Sequence, residues 1–263
     1  VFSMLGIYMS RKSNKAINEV AQIYMSGMNE QMSRHFQTVI QLRFDQVSGI
    51  VSVVSADNND KEKLYEELVY RAQVRNFDYL ALCSTEGDFQ TLYGQSIQPL
   101  NPAPFVEALV RGEQRVALGS DSVGNLVVLF GVDATAYPVQ DGSMSTGLVA
   151  AVPLEYIIDF LSLENEEQLI YYHIIRPDGS FVIQNSNTEL WHLFEQLQKQ
   201  LDPTENELSV DNSIKEFGAA LKNHDEYSTT FEVNGETLQI YGNPLPCSEW
   251  YLVSVMPYSI LDD

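Results

Sequence analysis

The stretch Tyr79-Leu-Ala-Leu-Cys-Ser-Thr-Glu86-Gly87-Asp-Phe89 returns further along the chain as Tyr171-Tyr-His-Ile-Ile-Arg-Pro-Asp178-Gly179-Ser-Phe181. Each copy reads as a strand, a turn made by an acidic residue and Gly, and a second strand resumed by Phe. Gly supplies the positive φ that so tight a turn needs. The ends repeat too: Leu148-Val-Ala-Ala-Val-Pro153 matches Leu252-Val-Ser-Val-Met-Pro257. Two modules of one design follow.

Outward from the first copy, a helix from about Lys61 to Arg75 precedes strands Phe77–Cys83 and Phe89–Tyr93. Pro99–Pro104 reads as loop and Phe105–Arg111 as a short helix with Gly112 at its C-cap. Strands Gln114–Leu118, Asn125–Asp133 and Ala134–Val139 come next, then Gly147–Val152 after an Asp141-Gly142 turn. Leu154–Leu163 reads as a connecting helix. The second module holds a longer insert. Ser186-Asn-Thr-Glu189 is a capping box opening a helix with Leu190, Leu193, Phe194, Leu197 and Leu201 on one face, stopped by Pro203. Ile214, Phe217 and Leu221 mark another short helix. Asn234-Gly235 joins strands Tyr227–Val233 and Glu236–Tyr241 as a hairpin, and Trp250–Met256 closes the module.

Ahead of both modules, Ser10 to Ser55 contains no proline, and apolar residues recur every three or four positions at Ile17, Val20, Ala21, Tyr24, Met28, Met32, Phe36, Val39, Ile40, Val47, Ile50, Val51 and Val54. At 1.5 Å per residue such a helix reaches roughly 65–70 Å, about twice the width of a compact domain. It is a spine, whose stripe is buried by the modules, by a second copy in a dimer, or by both. The alternative is two helices broken near Gly27 or Gly49.

The 263 residues carry a net charge of −21. Residues 1–56 hold five basic and three acidic side chains, leaving ten basic and 33 acidic for the rest. So acidic a body excludes nucleic acid and an anionic membrane surface as docking partners. Cys83 and Cys247 lie at no metal-ligand or redox spacing, and a disulfide between them is not forced. His35, His173, His192 and His224 are scattered, so no metal or cofactor is expected. Asp57-Asn-Asn-Asp60 lacks the Gly and distal Glu of a calcium loop and reads as a turn and N-cap. GxSxG, P-loop and GxGxxG motifs are absent, which reads against an enzyme. The apolar Val1–Met9, followed by Arg11, Lys12 and Lys15, is read as the tail of a membrane span, and Tyr258–Asp263 as the start of an exit helix.

A long helix followed by two such modules resembles the double Cache sensor domain. Phe105-Val-Glu-Ala-Leu-Val-Arg-Gly112 is similar to the family's aromatic-x-x-Ala-Leu-x-x-Gly helix, and Gly147–Tyr156 and Tyr251–Ile260 to its strand-Pro-helix module endings. The resemblance implies an α+β fold with two tandem PAS-like modules, each an antiparallel sheet flanked by helices. It divides the chain into a spine (1–56), a membrane-distal module (57–153), a linker (154–168), a membrane-proximal module (169–257) and an exit helix (258–263). It implies the extracytoplasmic domain of a membrane receptor, a non-catalytic fragment of a protein whose output is a histidine kinase, a diguanylate cyclase or a chemoreceptor signalling coil, the kinase or cyclase being the expected one. The partners implied are a small-molecule ligand, the membrane through flanking spans, and a second copy in a parallel homodimer along the spine. A non-sensing adhesive or scaffold ectodomain, and a secreted hydrolase, are the competing readings.

The resemblance places the ligand in the first module, between the sheet and the loop before the short helix. Many amino-acid-binding members carry an Arg before the helix aromatic and an Asp at the end of the closing strand; here those places hold Pro102 and Val152. An α-amino acid would leave its charges unpaired there, which argues against it. Tyr79, Tyr93, Phe105, Asp133 and Tyr137 are the expected ligand-binding residues. Asp133, the one acid within Leu126–Val139, either faces a ligand such as a cation or amine or points to solvent. Phe105 also suits packing of its helix, and the tyrosines suit core or rim. Arg71 and Arg75 could reach an anion, although the helix dipole alone favours them in a last turn. Trp191, Trp250 and His173 read as core.

Overall fold

A computed structural model describes residues 2–57, 60–161, 170–184, 191–201, 212–233 and 235–257. The elements are α1 (Phe2–Val51), α2 (Lys61–Val74), β1 (Tyr79–Ser84), β2 (Phe89–Tyr93), β3 (Ile97–Pro99), α3 (Pro102–Val110), β4 (Arg115–Asp121), β5 (Leu126–Asp133), β6 (Ser145–Pro153) and α4 (Leu154–Leu161). The second half adds β7 (Tyr171–Ile175), β8 (Phe181–Ile183), α5 (Trp191–Leu201), α6 (Asn212–Asn223), β9 (Tyr227–Val233), β10 (Glu236–Pro244) and β11 (Tyr251–Pro257). They form two compact units. One comprises Phe36–Ser162 and Pro246–Glu249; the other comprises α1 up to His35 and the remainder of the second half.

The spine is a single helix: neither Gly27 nor Gly49 breaks it. An interior Gly costs about 1 kcal/mol, less than the burial of Ala21, Met25 and Phe36 around Gly27 returns. From Phe36 onward the stripe lies where its periodicity puts it, with Val39, Ile40, Val47, Ile50 and Val54 buried. Before that it is rotated. Val20 and Tyr24 are exposed, together with Ile23, whereas Ala21, Met25 and Asn29 are buried. The cause is polar: Asn29 donates to the Asn243 side chain and accepts from Ser254 Oγ, so the helix turns an amide inward and Tyr24 outward. No described helix is long and apolar enough to cross a membrane.

In the unit built on Phe36–Ser162, the sheet order is β2-β1-β6-β5-β4-β3, antiparallel throughout. α1 lies against one face, where Phe44 meets Phe130 edge-on at 5.7 Å. Arg43 is buried beside it, its guanidinium 4.2 Å from the centre of the Tyr156 ring and 5.5 Å from that of Phe77. Its Nη1 donates to Gln46 Oε1 and to the Arg75 carbonyl. Asp60 caps α2 by accepting from Lys63 N, as its position suggested, while Asn58 and Asn59 lie outside the described residues.

Three local expectations change. Ala134–Val139 is not a strand: Ala136 adopts φ 73°, and only an isolated bridge joins Pro138 to Met144. Pro138 has no N–H for a ladder, and Tyr137 instead donates to the Val51 and Val54 carbonyls. Ile97–Pro99 pairs with β4 as an edge strand, and α3 begins at Pro102 rather than Phe105, a proline in the first turn being compatible with a helix start.

In the other unit the order is β8-β7-β11-β10-β9, the same path without a sixth strand. α5 and α6 cover one face, packing Phe194, Leu197, Ile214, Phe217 and Leu221 on Phe231, Ile240, Tyr251 and Val253. The repeated turns are alike in detail. Gly87 N donates to Ser84 O and Ser84 N to Asp88 O; Gly179 N donates to Arg176 O and Arg176 N to Ser180 O. Each Gly has positive φ and lies under the next helix: an added Cβ would come within 2.9 Å of Val106 Cγ1 at Gly87 and 3.2 Å of Gln198 Cγ at Gly179. Trp250 is core; the Ser186–Glu189 capping box, the Trp191 side chain and the exit helix lie outside the described residues. Cys83 and Cys247 are both free thiols, the first buried and the second exposed.

His173 on β7 is buried with Phe181 and Phe194 rings at 5.6 and 5.2 Å, and burial pushes its pKa down to about 4. An unfolded His titrates near 6.5, so below that value the unfolded state takes up a proton that the folded state refuses. Stability is therefore lost as pH falls, by about 2 kcal/mol for this group between pH 7 and 5. Denaturant unfolding of the native chain and of His173→Phe at both values should differ by that amount.

Candidate functional site

The face of the six-stranded sheet turned toward α3 carries Tyr79, Ala81, Cys83, Leu129, Val149 and Ala151, and α3 lays Phe105 and Leu109 onto it. Gly131 and Gly147 let the helix come that close: an added Cβ would lie 2.6 Å from Leu109 Cδ2 at Gly131 and 3.1 Å from Leu109 Cδ1 at Gly147. Phe89 stacks on Phe105 at 6.3 Å. The middle of this face is thus closed by apolar packing.

Of the five residues named from the sequence, Tyr79 and Phe105 meet in this cluster. Tyr79 is 1 % exposed, and its hydroxyl makes no hydrogen bond of normal geometry. Burial pushes its pKa up, with the Thr91 side chain acting the other way. Tyr93 lies half-buried on β2, paired with Leu80. Tyr137 is buried, and its hydroxyl donates to the Val54 carbonyl at 2.5 Å and the Val51 carbonyl at 3.1 Å, fastening the 134–145 crossing to the end of α1. Asp133 is exposed at the end of β5 and accepts from Thr135 Oγ1 at 2.5 Å.

One cavity lies at the opposite end of the sheet, six residues along β5 from Asp133, or about 20 Å at the rise of a strand. Its volume is about 450 Å³, and it has an apolar floor of Ile97, Leu126, Val127 and Pro153. Its polar lining is Asp78 before β1, Gln95 before β3, Asp121 at the end of β4, Asn125 before β5 and Glu155 in the first turn of α4. Ile97 belongs to the α3-side cluster and Val127 packs against it, so the cavity continues that face. Asp121 closes the β4–β5 turn, accepting from the backbone N–H groups of Val123 and Asn125 and from Asn125 Nδ2, and this bonding to Asn125 holds its carboxyl below the usual range. Sequence patterning does not find these residues, since each stands where a strand ends. The Asp121-x-x-Gly124-Asn125 turn was the one local signal.

Two PAS-like modules led by one long helix make the fold of Cache-type sensor domains. Solved structures agree. The ligand-binding domain of the Pseudomonas fluorescens chemoreceptor CtaA, in complex with L-isoleucine, is 16 % identical with a TM-score of 0.59, covering 94 % of this chain and 97 % of that one. That of a Campylobacter jejuni chemoreceptor in complex with L-norvaline is 12 % identical with a TM-score of 0.58, covering 94 % and 95 %. The extracellular domain of a candidate histidine kinase is 12 % identical with a TM-score of 0.57, covering 90 % and 98 %. No family model and no curated protein matches the chain. At such identities the likeness is one of fold.

The two buried tyrosines should respond unequally to loss of the hydroxyl. Tyr137→Phe leaves two carbonyls without their donor and should cost about 1–2 kcal/mol, whereas Tyr79→Phe, whose hydroxyl has only the Thr91 side chain acting on it, should cost less. Urea unfolding of both variants checks this.

Proposed function

We propose that this chain is the extracytoplasmic ligand-sensing region of a membrane-anchored signalling receptor, with residues 57–153 as the ligand-binding module and residues 169–257 as a second module of the same design. The observation that carries the reading is the cavity of about 450 Å³ on the α3-side face of a Cache-type sheet. It is of the size small-molecule sites have, with an apolar floor and a few convergent polar groups. A histidine kinase or diguanylate cyclase output fits the same reading, with this region itself non-catalytic.

Ligand binding then acts by favouring one of two packings of α1. A preference of 1–3 kcal/mol is enough to switch such an equilibrium. The exposed residues Val20, Ile23 and Tyr24 form a second apolar stripe beside Gly27, away from buried Met25 and Asn29. A second copy of the chain in a parallel dimer is the partner that we assign to it.

Thermal unfolding against a library of amines, carboxylates, sugars and nucleosides tests the sensor reading. A ligand at ~100 times its dissociation constant adds about 2.7 kcal/mol and raises the midpoint, and Val127→Trp, which fills the cavity, should abolish the shift. No shift with any compound would favour a scaffold. Separately, Ile23→Glu with Tyr24→Glu should lower self-association in sedimentation and remove any dependence of the unfolding midpoint on protein concentration.

A further inference from the structure

We infer that the cavity at the strand ends selects a cationic ligand, an amine with an apolar body and no carboxylate; this rests on the reading of that cavity as the sensing site. The site is defined by its space, about 450 Å³ above Ile97, Leu126, Val127 and Pro153. The class of ligand follows from what surrounds that floor.

Asp78, Asp121 and Glu155 line the cavity, and no Lys, Arg or His does. Asp121 is fixed in place by its three hydrogen bonds to Val123 and Asn125, so its negative charge is a permanent part of the wall. No described ion pair involves Asp78 or Glu155. Two cations come near these acids through the chain, and both are engaged elsewhere: Arg75, three residues before Asp78, donates from Nη1 to the Arg71 carbonyl. Phe77 and Tyr156, the chain neighbours of Asp78 and Glu155, stack on Arg43, whose guanidinium hydrogen-bonds Gln46 and the Arg75 carbonyl. Among the described ion pairs Arg43 meets neither carboxylate.

A ligand carboxylate about 4 Å from one wall acid loses about fivefold in affinity in open water and up to about a thousandfold at an effective dielectric near 20. An ammonium gains over the same range. The net charge of −21 adds a field that concentrates cations around the whole chain. The apolar floor requires a hydrocarbon body, which distinguishes such a ligand from a bare metal ion; among the described residues no cluster of metal-ligating side chains occurs.

Three probes that share a phenyl ring and short chain but differ in charge test the inference: phenethylamine, 3-phenylpropanoate and L-phenylalanine, each titrated into the 263-residue chain and followed by NMR. Phenethylamine should bind, with its affinity lowered about tenfold by Asp78→Asn with Glu155→Gln and lowered again by raising the salt concentration; 3-phenylpropanoate should not bind. Asp78 and Glu155 are surface side chains, so both substitutions leave the fold intact. Binding of 3-phenylpropanoate or L-phenylalanine as tightly as the amine, lost in Val127→Trp but not in the double amide variant, overturns the cationic class and leaves the sensor reading standing. Binding of none of the three also overturns it, and the thermal library then decides whether the cavity is a sensing site at all.

Discussion

The structure depends on how α1 hides two polar side chains on its buried face. Asn29 meets Asn243 and Ser254, and Arg43 meets the Tyr156 and Phe77 rings and the Arg75 carbonyl. An apolar stripe alone tolerates a slip or a small rotation, because one methyl packs nearly as well as another. A buried amide left unpaired costs about 1–3 kcal/mol, and an uncompensated buried charge costs more. Each polar residue therefore admits one height and one rotation of the helix against its own sheet. Leaving Val20 and Tyr24 in water is what that setting costs.

Most of the architecture was legible because it is written twice. Glu86-Gly87 and Asp178-Gly179 recur with the same strands around them, and the two turns close with the same pair of backbone hydrogen bonds. The spine was legible from its period, but the period could not say which of two adjacent apolar rows faces inward, since only the distant Asn243 and Ser254 decide it. Ala134–Val139 misled for a related reason. Its alternation of residue types suits a strand, while Ala136 in the left-handed region and the bonds of Tyr137 to the end of α1 are tertiary facts.

The candidate site was less legible than the fold. Tyr79 and Phe105, expected at a ligand, meet each other in the apolar cluster on the α3-side face, where Gly131 and Gly147 allow α3 to sit flush on the sheet and fill its middle. Space remains where strands end, and polar residues gather there because loop backbones and side chains need water or partners. Asp78, Asp121 and Glu155 come from three separate strand ends, and no spacing in one dimension announces that they share a wall.

The two cysteines differ in a way that is useful beyond the fold. Cys83 sits in the core, and burial pushes its thiol up to about 11, so almost no thiolate exists there at neutral pH. Cys247 is exposed in the turn between β10 and β11, at φ 57°, in a segment whose carbonyl accepts from Val116 N. A maleimide or nitroxide reagent will therefore attach at one position without any engineered residue. The native chain carries its own reporter on the turn that touches β4.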